Sequence, residues 1–221
     1  MGEIVQLRAA DGHGLTAYQA GGSGPGLVVV QEIFGVNAHI RDVVDRFAAL
    51  GFRAIAPALF DRVGPGIEMG YTSEDVAAGR EARAKVKDTD ALADILAARG
   101  WLETSPGPAG VVGYCWGGAL AWASATQSKS FDAAVGYYGG GISKTAEAEP
   151  HCPVMLHFGE QDHAIPLEDV AQVQAAHPDM PVHLYKAGHG FSCDARGSYD
   201  KAAHELALER TLAFFGAHLS T

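Results

Sequence analysis

Cysteine is scarce: three in 221 residues, an odd number without framework spacing. That excludes a disulfide scaffold and leads us to expect a cytoplasmic protein. Long apolar runs are missing as well, none approaching the ~20 residues that span a bilayer, so no membrane partner is expected. The start, Met1-Gly2-Glu3-Ile4-Val5, carries no basic segment followed by an apolar stretch, and no secretory signal is expected there. Basic residues are in the minority, 16 Lys+Arg against 26 Asp+Glu, for a formal charge of −10. Nucleic acid, which is bound by clustered positive charge, is therefore not an expected partner. An acidic small molecule would have to be drawn in by a local cation. Neither CxxC nor HExxH occurs, so no metal is expected. The 28 glycines follow no period, which excludes collagen-like and simple repeat architectures.

What the chain does have is core material: 48% hydrophobic residues and 19% charged, enough for one domain over residues 1–221. Ile4 to Arg8 and Leu15 to Ala20 flank the turn residues Asp11-Gly12-His13-Gly14 and read as an edge hairpin. Leu27 to Val30, Phe52 to Ala56 and Gly110 to Gly113 are short continuous apolar runs, the mark of strands buried on both faces. Ala133–Tyr138, Val154–Phe158 and Val182–Tyr185 are further strands. Helical spacing appears at Ile40, Val43, Val44, Phe47 and Leu50, along Glu74–Ala98 as one long helix, and at Trp116–Ala125, Leu167–Ala176 and Ser198–His218. Strands alternating with helices predict an α/β fold with a mostly parallel central sheet flanked by helices on both faces. Reactive groups of such folds gather in the loops beyond the carboxyl ends of the strands.

One of those loops is Gly113-Tyr114-Cys115-Trp116-Gly117-Gly118, where a buried strand meets a helix. This is the nucleophile-elbow pattern with cysteine at the nucleophile position. Glycines two residues away let strand and helix approach closely around a strained residue. The helix starting there aims unsatisfied N–H groups at the thiol and favours thiolate, and the Trp116 N–H faces an oxyanion forming beside Cys115. An inert buried thiol in a Gly-rich turn is the plainer alternative. Downstream, Asp162 follows the strand at 154–158 and His189, between glycines, follows the strand at 182–185. That is the chain order of nucleophile, acid and histidine in hydrolases of this fold. Glu160 and His163 are the nearest rivals and sit off the expected offsets. Cys152 reads as structural and Cys193 as an incidental loop thiol. Trp116, Phe34 and Tyr137 are candidates to line an apolar pocket, although such residues are more often core than ligand contact.

Taken together, Gln31-Glu32-Ile33-Phe34-Gly35, Asn37, Arg41-Asp42, the Cys115 elbow, Tyr137-Tyr138-Gly139, Gly159 with Gln161-Asp162-His163, and Gly188-His189-Gly190-Phe191 resemble the dienelactone hydrolases. The likeness runs from about Asp11 to Phe215 and implies the α/β-hydrolase fold. It implies a triad of Cys115, His189 and Asp162, with Glu32 holding the resting thiol and taking its proton when substrate enters. It also implies an oxyanion hole made by the N–H groups of Ile33 and Trp116, no cofactor, and a monomer. Family members acting on dienelactone carry an arginine four residues after the histidine, where this chain has Cys193; Arg196 is three residues further on. Arg80 and Arg83 are candidates for a second family arginine. The implied reaction is hydrolysis of a small-molecule ester or lactone, dienelactone to maleylacetate in aromatic breakdown. A broad carboxylesterase or thioesterase, and a non-catalytic thiol-sensing or binding protein, remain as alternatives.

Overall fold

The computed structural model describes residues 2–103 and 107–220. Eight strands form one sheet: β1 (Glu3–Arg8), β2 (Gly14–Ala20), β3 (Gly26–Val30), β4 (Arg53–Pro57), β5 (Ala109–Tyr114), β6 (Ala133–Tyr137), β7 (Val154–Gly159) and β8 (Val182–Tyr185). Their order is β1-β2-β4-β3-β5-β6-β7-β8. The β1–β2 hairpin pairs in antiparallel fashion and hands its second strand, also antiparallel, to β4; every pairing from β4 onward is parallel. The expected edge hairpin and parallel sheet are thus both present. All residues of β3, β4, β5, β6 and β7 are buried, as continuous apolar runs covered from both sides require.

Six α-helices cover the sheet: α1 (Ala38–Ala49), α2 (Ser73–Ala84), α3 (Asp88–Leu102), α4 (Trp116–Gln127), α5 (Leu167–Ala176) and α6 (Lys201–His218). α3 and α4 lie against each other on one face, where α3 covers β3 and β4 and α4 covers β5 and β6. Val43 and Phe47 of α1 approach His204 and Leu208 of α6 on the other. Among the described residues no helix is long and apolar enough to cross a membrane.

The long helix expected over 74–98 is two helices. Thr72 and Asp75 form a reciprocal capping box that starts α2, and Lys87 is extended at φ −74°, ψ 143°, which starts α3. Between them Val86 is buried. Arg83 braces the break, donating to the Val86 carbonyl at 3.0 Å and to Asp88 at 2.6 Å. The break frees α2 to lie over the carboxyl ends of the strands while α3 docks on the sheet.

Strand order sets the position of the chemistry. From β3 the chain moves outward to β4, then returns to place β5 on the other side of β3. The carboxyl ends of β3 and β5 therefore flank the point where the winding reverses, the place where α/β sheets open a crevice. Glu32 follows β3 and Cys115 follows β5.

Candidate active site

Cys115 has φ 54° and ψ −117°, a conformation L-residues rarely adopt. It is held there by close packing. A Cβ on Gly113 would lie 1.8 Å from the Gly117 carbonyl oxygen; one on Gly117 would meet the Val30 carbonyl oxygen at 2.3 Å, and one on Gly118 the Tyr137 carbonyl oxygen at 2.5 Å. The first turn of α4 is thus wedged between the ends of β3 and β6, and the Cys115 N–H donates to the Tyr137 carbonyl at 3.0 Å. Trp116, at the first position of α4, has no acceptor within the helix for its N–H.

Asp162 and His189 come together as the sequence predicts. The Gln161 N–H donates to the Ala187 carbonyl at 3.0 Å, tying the two loops to each other. His189 Nδ1 lies 2.7 Å from Asp162 Oδ2, and the other carboxylate oxygen accepts from the Ala164 N–H at 2.8 Å. The Asp162 side chain is fully buried and that of His189 about one-quarter exposed, at 23%. Burial is the largest influence on His189 and pulls its pKa down. Hydrogen bonds to Asp162 and Cys115, with the charges of both, outweigh it and hold the imidazole up at about 10. Cys115 is thus, with Asp162, one of the two groups that hold the proton on the imidazole.

Glu32 instead accepts from Arg196 Nη1 at 3.2 Å through Oε1. The arginine reaches it because successive turns, Cys193 N–H to Gly190 carbonyl and Arg196 N–H to Cys193 carbonyl, fold the loop back on itself. Gly190, at φ +77°, takes the left-handed conformation that favours glycine, and a Cβ there would press on the Arg196 guanidinium. The guanidinium also sits over Phe34 and Tyr71, 5.5 and 5.9 Å from the ring centres.

These groups open onto a cleft of about 590 Å³ whose lining includes Ile33, Cys115, Trp116, His189 and four cations, Arg80, Arg83, Lys144 and Arg196. Arg83 lies over the Trp116 indole at 4.6 Å, and the indole N–H donates to Asp88 at 3.2 Å. Gly79 lets α2 sit directly on the Ile33 backbone, since a Cβ there would be 2.3 Å from the Ile33 carbonyl oxygen. Phe34 and Trp116 line the cleft as expected. Tyr137 does not: its ring lies in the core against Tyr114 and His157, and its hydroxyl meets that of Thr211 at 2.7 Å. Its neighbour Tyr138, at φ 38°, faces His189 with ring centres 5.1 Å apart. Lys144 carries no sequence signal as a site residue, and Tyr138 has only its place in the Tyr137-Tyr138-Gly139 segment. A second cleft, about 710 Å³, lies at the amino ends of the strands beside Gly24, Pro25 and Pro108, remote from these groups.

Residues 13–219 match the model of the dienelactone hydrolase family. The chain belongs to that family. A carboxymethylenebutenolidase of Pseudomonas putida is 35% identical over 225 residues, with 96% of this chain and 95% of that protein covered. A Klebsiella pneumoniae crystal structure, provisionally assigned as a dienelactone hydrolase, superposes with a TM-score of 0.82 at 30% identity, covering 97% of this chain and 99% of the other. An esterase from Pyrococcus furiosus shares the fold alone, at TM-score 0.72 and 14% identity, covering 100% of this chain and 94% of the other. The sheet is that of the α/β-hydrolases. As a member of the dienelactone hydrolase family the chain is a hydrolase of esters or lactones.

Proposed function

We propose that the chain hydrolyses small carboxylated lactones or esters through a Cys115–His189–Asp162 triad. The supporting observation is the 2.7 Å Asp162–His189 pair set against a cysteine held at positive φ in a cation-lined cleft. The Cys115 thiolate attacks the carbonyl carbon, and the Ile33 and Trp116 N–H groups receive the oxyanion. Collapse of that intermediate breaks the acyl C–O bond, giving a thioester on Cys115 and an enolate or alkoxide that takes a proton from the His189 imidazolium. Neutral His189 then removes a proton from water, the hydroxide adds to the thioester, and the acid departs as the thiolate re-forms.

Glu32 and Arg196 make turnover depend on substrate charge. A substrate carboxylate bound by Arg196 displaces Glu32, whose carboxylate then takes up any proton remaining on the Cys115 thiol. Arg80 and Arg83 line the same cleft and support the same preference. This substrate class fits the name of the Pseudomonas putida relative, and we place the reaction with dienelactone opening to maleylacetate in aromatic breakdown. A thiol sensor without turnover is not favoured, because Cys115 shares its cleft with His189, Ile33, Trp116 and Arg196.

Labelling with iodoacetamide tests the nucleophile. Stoichiometric carboxamidomethylation of Cys115 abolishes hydrolysis of dienelactone and of aryl esters; undiminished turnover in the labelled protein overturns the mechanism. Between a carboxylated ester and its neutral isostere, the carboxylated one is preferred, and Arg196→Ala removes the preference.

A further inference from the structure

Apart from the residues that line the cleft lies a second set of groups. One carboxylate oxygen of Glu32, one ring nitrogen of His39 and Sγ of Cys193 lie within 4.8 Å of one another, and all three residues are buried. Two of these residues each have an unpartnered buried donor: Glu32 Oε2 and His39 Nε2 make no hydrogen bond. Glu32 is 1% exposed and His39 4%. His39 Nδ1 is 3.0 Å from Asp194 Oδ1, so a proton held on Nδ1 leaves the Nε2 lone pair free. This carboxylate–imidazole arrangement is the one that orients and strengthens histidine ligands of metal ions. Glu32 keeps Oε1 on Arg196 and has Oε2 to spare.

We propose that Glu32, His39 and Cys193 bind one thiophilic divalent transition-metal ion of the zinc class. Imidazole, thiolate and carboxylate are its usual donors. The charges suit it, since two anionic ligands and a neutral imidazole balance a dication. Binding expels the Cys193 thiol proton. The three ligands come from the loop after β3, the second residue of α1 and the loop after β8. No sequence spacing could have announced them, and the absence of CxxC and HExxH does not bear on them. The ion holds Glu32 away from Cys115. That consequence, unlike the site itself, rests on the role given to Glu32 above.

The full chain carrying Cys115→Ser provides the test, because the substitution removes the other reactive thiol. Titration with Co²⁺ is expected to give a thiolate-to-cobalt charge-transfer band that saturates at one ion per chain and is displaced by Zn²⁺. Adding Cys193→Ala should abolish the band; adding Asp194→Asn should weaken binding about 10–100-fold. No band in the folded Cys115→Ser protein, or a band that survives Cys193→Ala, overturns the site. Should Cys193→Ala fail to fold, a crystal of the unsubstituted chain soaked in Zn²⁺ decides: an anomalous peak among the three donors supports the proposal, and a water there without one overturns it. If the ion binds as described and ester turnover is unaffected, the site stands and the role of Glu32 falls.

Discussion

Glu32 and Arg196 meet at 3.2 Å with side-chain exposures of 1% and 20%, so removing either leaves the other without its counter-charge. Breaking such a pair from one side is far more damaging than removing both. Arg196→Ala is expected to lower unfolding stability by about 3 kcal/mol, and the double variant Glu32→Gln/Arg196→Ala to recover most of that. What it does not recover is the guanidinium packing on Phe34 and Tyr71. Urea midpoints of the four proteins read the coupling directly. A second expectation concerns His189, whose pKa rises from an ordinary 6.5 to about 10. Because the folded state holds the proton more tightly, the stability this gives is complete below 6.5 and disappears as pH climbs through about 10. Melting temperature should therefore fall more steeply on approaching pH 10 in the unsubstituted chain than in Asp162→Asn, whose histidine lacks the carboxylate. Parallel curves would show that the pair carries no such linkage.

The elements divide into those whose pattern decides their structure and those decided by a neighbour. Buried runs such as Leu27–Val30 and the glycines around Cys115 were readable because they answer to local rules: continuous apolar strands and a turn without room for Cβ atoms. Gly113→Ala should accordingly cost about 4 kcal/mol or more, or prevent folding, since its Cβ lands 1.8 Å from a backbone oxygen. Gly100 is the contrast. It lies exposed in α3, and a Cβ there would have nothing within 4 Å, so Gly100→Ala should stabilise by roughly 0.5–1 kcal/mol. Urea unfolding of the two variants gives opposite signs if the elbow is packed as described. The break between α2 and α3 was not readable, because no glycine or proline marks it; burial of Val86 and the reach of Arg83 make it. The same holds at the site. Cys115, Asp162 and His189 follow strands in order and could be found from the sequence. Whether position 193 or 196 points into the cleft depends on how the loop after His189 winds, and the choice between Tyr137 and Tyr138 depends on where β6 ends.

For the molecule as a whole the open matter is how a chain of net charge −10 admits an anion. Four cations line the cleft against Asp88, while most of the acidic surplus is spread over the rest of the surface. The two fields differ in range, and salt separates them. Screening acts beyond a Debye length, about 30 Å at 0.01 M, 10 Å at 0.1 M and 3 Å at 1 M. Raising salt from about 0.01 to 0.1 M thus removes the distant repulsion and leaves the cations within the cleft largely in force. Further addition, toward about 1 M, weakens those as well. For a carboxylated ester kcat/KM should therefore rise and then fall as salt increases, whereas a neutral isostere stays flat. A monotonic fall from the lowest salt would mean that the cleft cations control approach at every distance, and a flat profile that they do not touch the substrate at all. Arg80→Ala should diminish the fall at high salt and leave the rise, because it removes a near charge and keeps the far ones.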